Sequence, residues 1–164
     1  MTTPNNTVYL LTGTNMGNRE DNLKRVTQLI EQHIGKIINE SRLYETQAWG
    51  KTDQPDFINQ ALAVETPQYP QQILQNILKI ETEMGRVRTE KWEERVIDID
   101  ILLYNDEIVN EPNLVIPHPH LHERNFALVP LMEVAGEVEH PILKLPIEDI
   151  YFECPDTLEV ILLD

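Results

Sequence analysis

The clearest alternation of apolar and polar side chains lies between Arg95 and Tyr104. Ile97, Ile99 and Ile101 fall on one face of a strand, and Asp98 and Asp100 fall on the other with Val96, Leu102 and Tyr104. Thr7 to Thr12 reads as a first strand, closed by a Gly13–Gly17 turn. Leu23, Val26 and Ile30 then mark a helix over Arg19–His33, with Asn18 as its cap, Glu20 and Asp21 in its first turn and Gly35 beyond its end. Lys36 to Glu45 reads as strand, and Thr46 to Asp56 as a loop rich in turn formers. From Phe57 to Glu65 the alternation returns, with Phe57, Asn59, Ala61 and Ala63 on one side and Ile58, Leu62 and Val64 on the other. Pro70 to Met84 reads as a second helix whose buried stripe is Ile73, Leu74, Ile77 and Ile80.

Beyond the Asp98 strand, Asn105-Asp106 turns the chain into a short strand near Glu107–Val109. Arg124 to Ala135 is partly helical, with Pro130 expected to kink it or to sit in its first turn. A short helix is expected near Ile147–Tyr151. No repeat or low-complexity linker interrupts the chain. Strand–helix–strand order, twice over, predicts a single α+β domain over residues 1–164, with helices packed on one face of the sheet.

Charge narrows the functions open to such a domain. The 164 residues carry 13 Lys+Arg against 28 Asp+Glu, a formal net charge of −15. That surface repels nucleic acid and anionic membrane, so an anion site has to be a local island. After Met132 only Lys144 offsets a run of acidic residues, a segment expected to serve solubility. The lone Cys154 excludes an intrachain disulfide, and no apolar run approaches spanning length, so a soluble cytoplasmic protein is expected.

Asp98 and Asp100 are the first candidates for chemistry. Residues two apart on a strand have Cα atoms about 6.7 Å apart, so their carboxylates can converge. At a separation of about 5 Å and an effective dielectric near 20 they repel by about 3 kcal/mol. A hard divalent ion completed by substrate phosphates offsets that repulsion; the bland alternative is a solvated strand face. Just upstream, Arg86, Arg88, Lys91 and Arg95 cluster, as a phosphate-binding island or as a salt-bridge patch with Glu90, Glu93 and Glu94. His118, His120 and His122 have a spacing that zinc could use, but Pro117 and Pro119 interrupt the strand and no fourth ligand is near. His118 acting alone as a hydrogen-bond donor to phosphate is preferred. Phe57, Phe126 and Trp92 are core residues by default; the alternative is a flat-ring sandwich, with Asn59 bonding a heterocycle edge. Glu81 lies on the second helix at a face the periodicity does not settle.

Together these residues resemble the 6-hydroxymethyl-7,8-dihydropterin pyrophosphokinase family of folate biosynthesis. The resemblance runs from Val8 to about Pro141 and rests on Arg95-x-x-Asp98-Ile99-Asp100-Ile101, Ile116-Pro117-His118-Pro119 and Arg124-x-Phe126-x-Leu128-x-Pro130-Leu131. Gly13-Thr14-Asn15, Asp53-Gln54-Pro55-Asp56-Phe57-x-Asn59 and Glu81-x-x-x-Gly85-Arg86-x-Arg88 support it. Where many members have Trp-Gly-Pro-Arg, this chain has Trp92-Glu93-Glu94-Arg95.

The resemblance implies a ferredoxin-like, mainly antiparallel fold. It also implies transfer of the β,γ-pyrophosphoryl group of ATP to the pterin's hydroxymethyl oxygen, with release of AMP. Asp98 and Asp100 would then hold two Mg²⁺ ions, and Arg86 and Arg95 would join them as catalytic residues. Glu81, Arg88, Arg95, His118 and Arg124 match ATP-binding positions. Phe57 and Phe126 would stack the pterin, with Asn59 and the Thr46, Ala48 and Trp49 segment reading its edge. No general base is assigned, the expected partners are small molecules only, and a monomer is expected. A non-catalytic ligand sensor and a zinc-binding interaction domain are the competing classes.

Overall fold

The computed structural model of the protein describes residues 5–47, 56–85 and 97–163. In chain order the elements are β1 (Asn6–Thr14), α1 (Arg19–His33), β2 (Lys36–Glu40), β3 (Tyr44–Thr46), β4 (Phe57–Thr66), α2 (Pro70–Glu83) and β5 (Asp98–Tyr104). There follow β6 (Val109–Glu111), β7 (Leu114–Ile116), α3 (Asn125–Ala135), α4 (Ile147–Glu153) and β8 (Val160–Leu162). The main sheet runs β5-β1-β4-β3-β8, with β2 also paired to β4, and every pairing is antiparallel. With β2 and β3 counted as one interrupted strand, β5-β1-β4-β3 is the strand order of a ferredoxin-like α+β fold, as expected.

α1 forms where the periodicity placed it. The Asn18 side chain accepts the Asp21 N–H at 3.1 Å, and Leu23, Val26 and Ile30 are buried on the stripe. α2 opens on Pro70 and buries Ile73, Ile77 and Ile80, while Leu74 is only half-buried. These stripes pack on Val8, Leu10, Ile58, Leu62, Val64, Ile99 and Ile101, each large apolar side chain contributing about 1.5–3 kcal/mol on burial.

The helices do not all lie on one face. α3 and α4 pack on the opposite side of the sheet, against Leu11, Leu102 and Leu103, through Ala127, Leu128, Leu131, Ile147 and Ile150. Both sheet faces are apolar enough to need a cover, which is why a one-sided layer fails. Pro130 lies within α3 and not in its first turn, and the helix continues past it to Ala135.

Three strand expectations change. β1 extends through Gly13 and Thr14, which pair with Asn59 and Ile58 of β4. The strand expected over Lys36–Glu45 breaks after Glu40, where the Ser41 hydroxyl accepts the Ala61 N–H at 2.9 Å in place of a ladder carbonyl. The short strand expected near Glu107–Val109 is a two-stranded hairpin, β6–β7. β8 had no expectation.

Tyr104 does not share the aspartate face. Tyr9 pairs with Leu103 and Leu10 with Ile101, so Leu102 is the extra residue of a β-bulge. The bulge reverses the alternation, sends Leu102 and Leu103 toward α3, and turns Tyr104 into the α1–α2 core with its hydroxyl donating to the Gln68 carbonyl at 2.8 Å.

Candidate functional site

The aspartate end of β5 and the neighbouring strands form one row across the sheet. Asp98 pairs with Gly13 of β1, and Gly13 pairs with Asn59 of β4. Each strand spacing is about 4.8 Å, so Asp98 and Asn59 stand about 10 Å apart with Gly13 between them. A Cβ on Gly13 would lie 2.3 Å from Asn59 Nδ2, so only glycine lets that amide lie flat on the strand. Asn59 is 7% exposed, and its Nδ2 donates to the Thr12 carbonyl at 3.2 Å, which fixes the amide.

Asp98 and Asp100 share one face of β5, both half-buried, with Ile99 between them directed into the opposite core. Among the described residues β5 is an edge strand, and the Ile99 N–H, which no described strand takes, donates to Glu81 Oε2 at 3.0 Å. Glu81 is 4% exposed. It lies one turn after Ile77 and next to Ile80, on the buried side of α2, which settles the face left open by the sequence.

The segment after β7 returns to β5, with the His118 N–H donating to the Leu102 carbonyl at 3.0 Å. His118 Nδ1 accepts the His120 N–H at 3.2 Å, which leaves the neutral ring's proton on Nε2. Burial, then Arg124 and His120 nearby, lowers the His118 pKa to about 4, so the ring is neutral at physiological pH. His120 and His122 instead approach Glu123, at 3.5 and 3.2 Å. Among the described residues no three His, Cys, Asp or Glu side chains converge on a metal position. The Arg124 guanidinium carbon lies 5.6 Å from the Phe126 ring centroid, so cation and ring enter the site together.

A cavity of about 890 Å³ opens onto these groups, His122 excepted. Its wall includes Asp98, Asp100 and Glu81 at one side, and His118 and Arg124 beside them. Thr46, Phe57 and Asn59, carried by β3 and β4 across β1 from the aspartates, line it too, and Phe126 lines it beside Arg124. Every candidate site residue that the structure describes therefore borders one space. Arg86, Arg88, Arg95, Ala48 and Trp49 lie outside the described residues, as do Lys91 and Trp92.

Sequence reasoning missed part of the wall. Leu74 and Leu78 of α2 and Val115 of β7 make an apolar arm, held by Gln71 Nε2 donating to Glu111 Oε2 and Asn113 Oδ1 at 2.9 and 3.1 Å. Leu78 and Val115 are exposed large apolar residues, and an apolar position directed outward was the available signal. Asp156 and Leu158, from the segment expected only to confer solubility, also line the cavity.

Chemically, two carboxylates on one strand face supply hard oxygen donors. A pair of that kind fits a divalent ion whose remaining ligands are water and phosphate oxygens, without a third protein carboxylate. An imidazole N–H and a guanidinium beside them suit anionic oxygens.

Known proteins share both sequence and fold with this chain. Residues 9–136 match the family described as 7,8-dihydro-6-hydroxymethylpterin-pyrophosphokinase. A 2-amino-4-hydroxy-6-hydroxymethyldihydropteridine pyrophosphokinase from Aquifex aeolicus is 40% identical over 153 residues, covering 93% of this chain and 94% of that protein. Its namesake from Bacillus subtilis is 39% identical over 136 residues, 82% of this chain and 81% of the other. A solved wild-type Plasmodium falciparum HPPK-DHPS chain with pterin and p-hydroxybenzoate aligns at a TM-score of 0.72 and 21% identity, covering 93% of this chain. This chain spans 43% of that longer one, and the likeness carries the fold.

Proposed function

The chain belongs to the 7,8-dihydro-6-hydroxymethylpterin-pyrophosphokinase family, and we propose that its cavity transfers the β,γ-pyrophosphoryl group of ATP to the hydroxymethyl oxygen of 6-hydroxymethyl-7,8-dihydropterin. The hydroxymethyl oxygen bonds to the β-phosphorus, the bond from that phosphorus to the α,β-bridging oxygen breaks, and AMP leaves. The hydroxyl proton passes to solvent, and no side chain is assigned as its base. The observation that supports the reading is the row Asp98–Gly13–Asn59, in which a carboxylate and a buried amide stand two strand spacings apart on one sheet.

At the pterin end Phe57 and Phe126 offer ring faces, and Asn59 and Thr46 offer polar atoms for the edge. Ala48 and Trp49 belong to the same proposed subsite. At the nucleotide end His118 donates from Nε2 and Arg124 supplies charge to the triphosphate, with Arg86, Arg88 and Arg95 from the basic segment completing the clamp. Glu81 borders the nucleotide through its hold on β5, and the apolar arm of Leu74, Leu78 and Val115 suits the flat base. Asp98 and Asp100 would hold two Mg²⁺ ions, which neutralise phosphate charge and polarise the transferred group. Position and electrostatics then supply most of the rate enhancement. A cytoplasmic monomer completes the proposal. Separately, among the described residues no helix is long and apolar enough to cross a membrane.

Incubation with ATP, Mg²⁺ and the pterin tests this directly. AMP without ADP, appearing only when the pterin is present, is the expected result. ADP as the product would sink the reading. A ligand sensor would bind ATP and show no turnover.

A further inference from the structure

α3 starts without a local cap. Arg124 is its N-cap residue and makes no side-chain capping bond, so the first N–H groups of the helix need an acceptor from elsewhere. That acceptor arrives from 31 residues away: Asp156 Oδ2 accepts the Asn125 N–H at 2.9 Å. The same carboxylate accepts the Leu158 N–H through Oδ1 at 2.9 Å, and the Asp156 carbonyl accepts Asn125 Nδ2 at 2.9 Å. Among the described residues Asn125 Oδ1 is buried without a partner, and the Asn125 amide is oriented by its bond to Asp156. A carboxylate at a helix N-terminus is favoured by the dipole as well as by the hydrogen bond.

The consequence falls on the site. The capped residue sits between Arg124 and Phe126, and both of those line the cavity. On its far side the segment is fastened again, by β8 pairing with β3 and by the Leu163 N–H donating to the Leu43 carbonyl at 2.9 Å. β3 carries Thr46 into the same cavity. The C-terminal segment therefore bridges two of its walls, and it lies beyond the residues 9–136 of the family match.

Resting on the pterin subsite proposed above, we infer that Asp156 is a positioning residue for that subsite: its carboxylate caps α3 and sets the direction in which Phe126 enters the cavity. Leu158, held by the same carboxylate, completes the wall. Asp156 is not a catalytic residue, since it acts through the Asn125 amide.

Steady-state AMP formation by the full chain and its Asp156→Ala and Asp156→Asn variants tests the inference, with folding checked by thermal melting. Asp156→Ala is expected to raise the KM for the pterin about tenfold, the scale of one lost charge-assisted contact, while the KM for ATP stays within about twofold. Asp156→Asn keeps one acceptor oxygen and is expected to fall between; if the alanine variant does not fold, this variant is read alone. An unchanged pterin KM in a folded variant, or both KM values rising together, overturns the inference. A wild-type chain that makes no AMP overturns the underlying functional reading instead, so the two failures are distinct.

Discussion

Glu81 Oε2 accepts the backbone N–H of Ile99 at 3.0 Å, and Ile99 is the residue between the two aspartates. An edge strand leaves every second N–H without a neighbouring strand. Here a buried carboxylate from α2 takes the one at the centre of the site. The helix on one face of the sheet thereby holds still the strand that presents Asp98 and Asp100 on the other.

Replacing Glu81 with Ala should therefore cost about 1–3 kcal/mol, because a buried N–H is left without its acceptor. Glu81→Gln keeps an acceptor oxygen and should cost less. Urea denaturation gives both values; equal stability of the alanine variant and wild type would mean that the bond is not what secures β5.

Asp98→Asn and Asp100→Asn should each lower turnover by at least about a hundredfold, the scale of losing one preorganised electrostatic contact. Both side chains are half-buried beside the cavity, so the melting temperature should change little. Chelating divalent ions should stop wild-type AMP formation, and restored Mg²⁺ should recover it. Full activity in either variant would remove the carboxylate pair from the mechanism.

Gly13→Ala brings a methyl group to 2.3 Å from Asn59 Nδ2, and the amide has to give way. The expected result is weaker pterin binding, by about tenfold or more, with ATP binding retained, since one hydrogen bond to the heterocycle edge is misplaced. Calorimetry with each substrate separates the two. Unaltered pterin affinity would mean that Asn59 does not read the ligand.

His118 should make the protein acid-sensitive with a defined sign. Its pKa falls from 6.5 to about 4 on folding, so between those values the unfolded chain holds a proton that the folded chain does not. Stability present above pH 6.5 is therefore lost as the pH falls toward 4. His118→Gln should flatten part of that slope; His140, lowered by burial and by His122, keeps a contribution of the same sign. NMR titration of His118 with a midpoint near 6.5 would refute the assignment.

Local physics made some of this architecture readable from sequence. α1 was legible because its stripe and its Asn18 cap lie within one stretch, whereas Asp98, Asn59 and Phe126 each had a bland reading and stood out only through the motifs that carry the family resemblance. The Leu102 bulge was not legible, since an inserted residue obeys the same apolar pattern as the strand around it. Glu81 had a signal that periodicity alone could have used: it follows Ile77 by one turn. Asp156 had no local signal, because a cap supplied across the fold leaves its mark only as a missing one, at Arg124.

The Asp98–Gly13–Asn59 row has one more consequence. Hydrogen bonds between strands are among the stiffest spacers a protein has, and two of them separate the ends of this cavity. In the proposed reaction the sheet is a gauge block: it fixes how far apart donor and acceptor are held, whatever the bordering loops do. Change in those loops can alter how long the substrates stay, but the span between them is set by strand count and moves only if a strand is gained or lost.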